Sequence, residues 1–126
     1  MLQKVLEMLR ALTRHRFVKV VNCGNAAIFS ALHRVKARGA TTVLVPDQGG
    51  WISYSAYPRI LGMTVTYLAT IDGLIDLEDL RKKVGKNTAL IYSSLAAYSF
   101  AQDIRAIHGI CKEGGAFVIM DCSGSV

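Results

Sequence analysis

Apolar and polar positions along this chain follow two rhythms, one of three to four residues and one of near-continuous short runs. Leu2, Val5, Leu6, Leu9 and Leu12 recur at helical spacing and predict an amphipathic first helix. Phe17 to Val21 is rich in β-branched residues and predicts a strand. Asn22-Cys23-Gly24-Asn25 breaks that run, with Asn22 or Asn25 placed to cap a helix carried by Ile28, Ala31, Leu32 and Val35. Gly39 supplies its stop. Thr42 to Val45 predicts a short strand closed by Pro46, and Asp47-Gln48-Gly49-Gly50 predicts a turn.

Ser53 to Leu61 predicts a helix, in which Pro58 sits best in a first turn or at a kink. Val65 to Leu68 predicts a strand, and Ile71 to Ile75 a loop. Asp76 is placed to cap a helix through Leu77, Leu80 and Val84, with the charge of Asp79 in its first turn. Ala89 to Tyr92 is a fully apolar strand ending in Ser93-Ser94. Ile104, Ile107, Ile110 and Cys111 mark a helix finished by Gly114-Gly115, and Ala116 to Met120 is the last strand, leading into Asp121. Strands alternating with helices imply an α/β fold with a mostly parallel sheet covered by helices on both faces. There is no repeat and no low-complexity tract; residues 1–16 form a leading helix and residues 17–126 the α/β unit.

Composition narrows the class. A 52% apolar content is enough to offset the entropy of ordering the chain, so disorder is excluded. No apolar run reaches the roughly 20 residues that span a bilayer, and charges interrupt the N-terminus, unlike a secretory signal. These features predict a cytoplasmic protein with no membrane segment. The net charge of +6 is uneven: residues 1–38 hold eight Lys/Arg and one acid, whereas residues 39–126 hold seven and eight. Such a basic third could meet phosphates or acidic lipid, or be a solvated face with counter-charges on a partner. It lacks interleaved aromatics and a known binding motif, which argues against nucleic acid; nucleic-acid binding on a plain α/β scaffold stands as an alternative, with steep salt dependence as its mark. Cys23, Cys111 and Cys122 have no CxxC spacing, and His15, His33 and His108 are scattered, so neither a disulfide framework nor a metal site is indicated.

In an open α/β sheet, ligands bind beyond the carboxyl ends of the strands, and three such ends carry unusual residues. Asn22-Cys23-Gly24-Asn25-Ala26 is a small-residue turn into a helix, where free N–H groups favour a phosphate. It fits neither GxGxxG nor GxxxxGK[ST]. Trp51, the only tryptophan, follows Gly49-Gly50 in a loop, where a flat aromatic can stack on a planar ligand or close the end of the sheet as core. Asp121 directly follows an apolar run, and a carboxylate there is costly unless something cationic pairs with it. A phosphate cradle, an aromatic plate and a carboxylate for a cation together suit pyridoxal phosphate (PLP), which has a phosphate, a planar ring and a pyridinium nitrogen.

At these residues the sequence resembles the fold-type I family of PLP-dependent enzymes, the aminotransferase superfamily, over about residues 17–126. Val20 to Ala27 looks like the family's strand, phosphate turn and helix, and Thr42 to Pro46 followed by Trp51 like its next strand and ring-stacking segment. Leu61-Gly62, Asp72-Gly73-Leu74-Ile75-Asp76 and Asp79-Leu80 resemble a run typical of the family. Thr88 to Ile91, Asp103-Ile104, Ile107 and Ile110-Cys111-Lys112 lead, as in the family, to the cofactor aspartate, which Ile119-Met120-Asp121-Cys122-Ser123 resembles. The resemblance implies the first half of an aminotransferase-like large domain. It implies phosphate contacts from Gly24, Asn25 and Ala26, and ring stacking by Trp51, with Tyr54 as the alternative. It further implies Ser94 at the ring's phenolic oxygen, Asp121 on the pyridinium and Ser123 beneath the ring. The pattern resembles the sugar-aminotransferase and class V-like groups; Ala96-Ala97-Tyr98-Ser99-Phe100 departs from their His- or Gly-containing loop and leaves the substrate class open.

The family's Schiff-base lysine lies further along the chain than the cofactor aspartate, whereas Lys82, Lys83, Lys86 and Lys112 all precede Asp121. The expectation is therefore a truncated or split aminotransferase-like protein that does not transaminate alone. The alternative is a non-catalytic module that binds the cofactor or a partner. The family also implies a dimer, and an uncovered sheet edge favours association with a second copy or a complementing C-terminal half. A complete enzyme would act on a small amino donor and acceptor.

Overall fold

Four short apolar runs pair side by side into one sheet in the computed structural model, which describes residues 1–95 and 101–123. The departing stretch 96–100 lies outside them. The strands β1 (Thr42–Pro46), β2 (Thr64–Leu68), β5 (Thr88–Ser93) and β6 (Phe117–Asp121) are ordered β2-β1-β5-β6, and every pair is parallel. Parallel strands need crossovers, and the crossovers bring helices onto the sheet. Side chains alternate along each strand, so consecutive residues serve opposite faces. Val43, Val45, Ala89 and Ile91 pack with Ile28, Leu32 and Tyr54 from α2 (Gly24–Ala37) and α3 (Ser53–Ile60). Leu44, Leu90 and Tyr92 pack on the other side with Leu80, Ile107 and Ile110 from α4 (Leu77–Lys83) and α5 (Ile104–Gly114). The predicted α/β class, with both faces covered, is the observed one.

The helix ends follow local chemistry. The Asp76 carboxylate accepts from the N–H groups of Glu78 and Asp79 and starts α4. Gly115, at φ 73°, closes α5 with its N–H on Lys112. Gly39 turns the chain after α2 at φ 105°.

Several expectations are corrected. Phe17 to Val21 is not a strand: none of it pairs with a strand among the described residues, and Phe17 is 84% exposed. β propensity becomes a strand only where a neighbouring edge accepts its backbone groups. Neither Asn22 nor Asn25 caps α2; extended Cys23 is the N-cap, without a side-chain cap bond, and Asn25 lies inside the helix. Pro58 falls in the last turn of α3 rather than its first, buried against the core. The loop at 71–75 is a small hairpin, β3 (Thr70–Ile71) with β4 (Leu74–Ile75). Asp72 and Gly73 both adopt positive φ there, 53° and 80°, as a tight two-residue turn requires. The leading helix α1 (Leu2–Thr13) forms as its periodicity predicts, but none of its residues is buried.

The chain winds from β1 outward to β2, then crosses back to β5 and continues to β6. The winding thus reverses between β1 and β5, and neighbouring connections diverge at their carboxyl ends. Such a switch point opens a crevice.

Candidate functional site

That crevice is a cleft of about 800 Å³, in the range of small-molecule sites. The turn after β1, the ends of β5 and β6 and the start of α2 converge on it.

Its α2 wall is the start of that helix, Gly24, Asn25 and Ile28, with Cys23 before it. The first bond into the helix runs from the Ala27 N–H to the Cys23 carbonyl at 3.1 Å, so the N–H groups of Gly24, Asn25 and Ala26 precede the helical ladder. Gly24 and Asn25 line the cleft; Ala26 is half-buried in the same turn and does not line it. The helix start carries a partial positive charge and suits an anion.

The opposite wall comes from the turn after β1. Gly49 and Gly50 adopt φ 80° and 77°, which turns the chain into α3. Trp51 lines the cleft and is 62% exposed, so it is not core. Tyr54 also lines the cleft, yet is only 1% exposed, its N–H bonded to the Trp51 carbonyl at 2.9 Å. A Cβ built on Gly50 would stand 2.7 Å from two carbons of the Tyr54 ring, so the glycine leaves the room that the ring occupies.

Asp121 forms the floor. It pairs in register with Ser93, and the Ser94 N–H donates to its backbone carbonyl at 2.9 Å. Its carboxylate accepts from the Tyr54 hydroxyl at 2.7 Å on Oδ2 and from the Ser123 N–H at 2.9 Å on Oδ1. Burial pushes the Asp121 carboxyl up, but hydrogen bonds from Ser123 and Tyr54 outweigh it and hold the group below the ordinary carboxylate value. Burial and the neighbouring carboxylate together push the Tyr54 hydroxyl far above the usual tyrosine range. No Lys, Arg or His is among the lining residues. The cation expected for Asp121 is therefore not supplied by these walls; neutral donors hold the carboxylate instead.

The structure thus brings Gly24, Asn25, Trp51, Asp121 and Ser123 to one cleft. Ser94 is buried and is not among the lining residues, whereas Ser93 is. Sequence reasoning missed Ile28, Ser93 and Leu95 on the walls, and it missed the bond between Tyr54 and Asp121. The Gly49-Gly50 pair was the available signal that a close approach follows that turn. Among the described residues no three His, Cys, Asp or Glu group for a metal, and no helix is long and apolar enough to cross a membrane.

Comparison with known proteins matches residues 2–126 to the DegT/DnrJ/EryC1/StrS aminotransferase family. The cysteine desulfurase IscS of Buchnera aphidicola subsp. Acyrthosiphon pisum is 38% identical over 68 residues, 52% of this chain and 17% of that protein. The sphingosine-1-phosphate lyase of Burkholderia pseudomallei superposes with a TM-score of 0.75 at 21% identity, over 96% of this chain and 33% of its own. A sugar aminotransferase from Micromonospora echinospora gives 0.65 at 20% identity, over 81% and 30%. Serine palmitoyltransferase from S. paucimobilis, solved with PLP and myriocin bound, gives 0.69 at 15% identity, over 94% and 30%. At these identities the structural likeness speaks for the fold. The chain spans about a third or less of each of these relatives.

Proposed function

The chain belongs to the DegT/DnrJ/EryC1/StrS aminotransferase family, and on that premise we propose that it carries the cofactor-binding part of a PLP-dependent site. The observation that carries this reading is the Asp121 carboxylate, held ionised by two donors in the same cleft as the α2 N-terminus and Trp51.

The donor set fits the cofactor group by group. The N–H groups of Gly24, Asn25 and Ala26 would bind the phosphate without a cationic side chain. Trp51 would cover one face of the ring, its exposed indole giving the flat apolar surface. Asp121 would hold a proton on the ring nitrogen through acceptor capacity that Tyr54 and Ser123 leave free. Ser123 stands beside that carboxylate. Ser94 contributes by anchoring the Asp121 backbone. Once bound, PLP supplies a protonated ring that draws electrons from the reacting carbon.

No lysine is among the residues lining the cleft. We infer that the residues lining this cleft hold the cofactor, and that the amine for covalent attachment is not one of them. Association is favoured by β6, which pairs only with β5 among the described strands and whose residues are all half-buried. A second copy or a complementing half fits there, and a cytoplasmic setting suits such an enzyme.

Titration with PLP under Trp51 fluorescence tests the assignment. Saturable quenching that weakens in Asp121→Ala supports it; no quenching at high cofactor overturns it.

A further inference from the structure

The Asp121 carboxylate is restrained through both of its oxygens, and the two restraints differ in kind. The Ser123 N–H reaches Oδ1 from two residues away, on an exposed residue. The Tyr54 hydroxyl reaches Oδ2 from a different element, 67 residues earlier. Tyr54 is itself immobilised: it is 1% exposed, it sits in the first turn of α3, and its ring fills the space beside Gly50. A donor on each oxygen fixes the plane of a carboxylate, which a single donor leaves free to swing. The remaining lone pairs then point in set directions, and a charge-assisted bond depends steeply on that alignment.

We propose that Tyr54 is a positioning residue for Asp121: by fixing the carboxylate plane, it sets how strongly the cleft prefers a ring bearing a protonated nitrogen over an otherwise identical neutral ring. Gly50 takes part, because only a residue without a side chain leaves the Tyr54 ring in reach of Oδ2. The inference rests on the reading that Asp121 meets the ring nitrogen, and it goes further by assigning the control of that contact to Tyr54, whose N–H is bonded to the Trp51 carbonyl.

The test is a preference ratio measured by calorimetry on the cofactor-free chain. The probes are pyridoxine 5′-phosphate, which has no aldehyde to react with surface lysines, and its analogue with carbon in place of the ring nitrogen. The unaltered chain should bind the nitrogen compound more tightly. In Tyr54→Phe that preference should fall about tenfold, as loss of one bond to a charged group implies, while affinity for the carbon analogue stays within about twofold. Equal weakening of both probes, or an unchanged ratio, overturns the proposal. If Tyr54→Phe does not fold, as judged by circular dichroism, Gly50→Ala is read in the same way, since it keeps the hydroxyl and displaces the ring. Absence of any preference in the unaltered chain overturns the pairing of Asp121 with the ring nitrogen itself, a failure distinct from an unchanged ratio in the variants.

Discussion

Tyr54 donates its hydroxyl to the Asp121 carboxylate at 2.7 Å, although 67 residues separate them and they belong to different layers of the fold. The bond favours the ionised carboxylate in the folded state. Its contribution to stability is therefore present above the unfolded carboxyl value, about 3.9, and is lost as pH falls through the lower folded value. Urea unfolding at pH 6 and pH 3 should show a larger acid loss in the unaltered chain than in Asp121→Asn. Asp79, held down by Lys83 and the Ala69 N–H, is common to both chains and leaves a residual dependence. Equal acid losses would contradict the assignment.

At the alkaline end the sign reverses. Burial pushes Tyr92 up to about 12 and Cys111 up to about 11, and it raises Tyr54 further. Folding keeps these groups protonated, so their contribution is intact below their unfolded values and is lost as pH rises through the folded ones. Tyrosinate absorbance should appear in two stages. Tyr67, lowered by its bond from Arg59, ionises first, and Tyr54 and Tyr92 ionise only together with loss of the far-ultraviolet helix signal. A single early transition for all tyrosines would show the two rings to be solvated.

Cofactor binding is legible through a single fluorophore, because Trp51 is the only tryptophan and lines the cleft. Asp121→Ala should weaken the quenching midpoint for PLP about tenfold or more, the scale of a lost hydrogen bond to a charged group. Asn25→Ala should change it little, since the helix wall acts through backbone N–H groups. A large effect of Asn25→Ala would place the phosphate on its side chain instead.

Gln102 ties the hairpin to the sheet's helical layer. Its side-chain oxygen accepts from the Ile75 N–H at 3.0 Å, and its Nε2 donates to the Gly73 carbonyl at 2.9 Å. Gln102→Leu leaves both backbone groups unsatisfied in a buried place, which costs about 2–4 kcal/mol. The urea midpoint should fall accordingly, with an unchanged slope.

Much of the architecture was legible because burial imposes a period. Val43, Leu44 and Val45 are apolar on both sides because β1 lies between two strands and under two helical layers. The caps of α4 and α5 were legible as well, since Asp76 and Gly115 satisfy backbone groups within a few residues. Phe17 to Val21 misled for the converse reason, because its composition suits a strand but pairing depends on an edge elsewhere. The hairpin at Asp72-Gly73 was missed although both residues tolerate positive φ.

The sequence by itself determined the alternation of strands and helices, the small-residue turn at Gly24 and the placement of Trp51 and Asp121 at strand ends. These depend on interactions within a few residues, or on a face that must be apolar wherever it packs. Only the tertiary structure decided that the strand order reverses beside β1, that Ser93 rather than Ser94 lines the cleft, and that Tyr54 holds Asp121. Those facts depend on which strands become neighbours, and the energy of pairing is shared across the sheet, so no local run of residues encodes it.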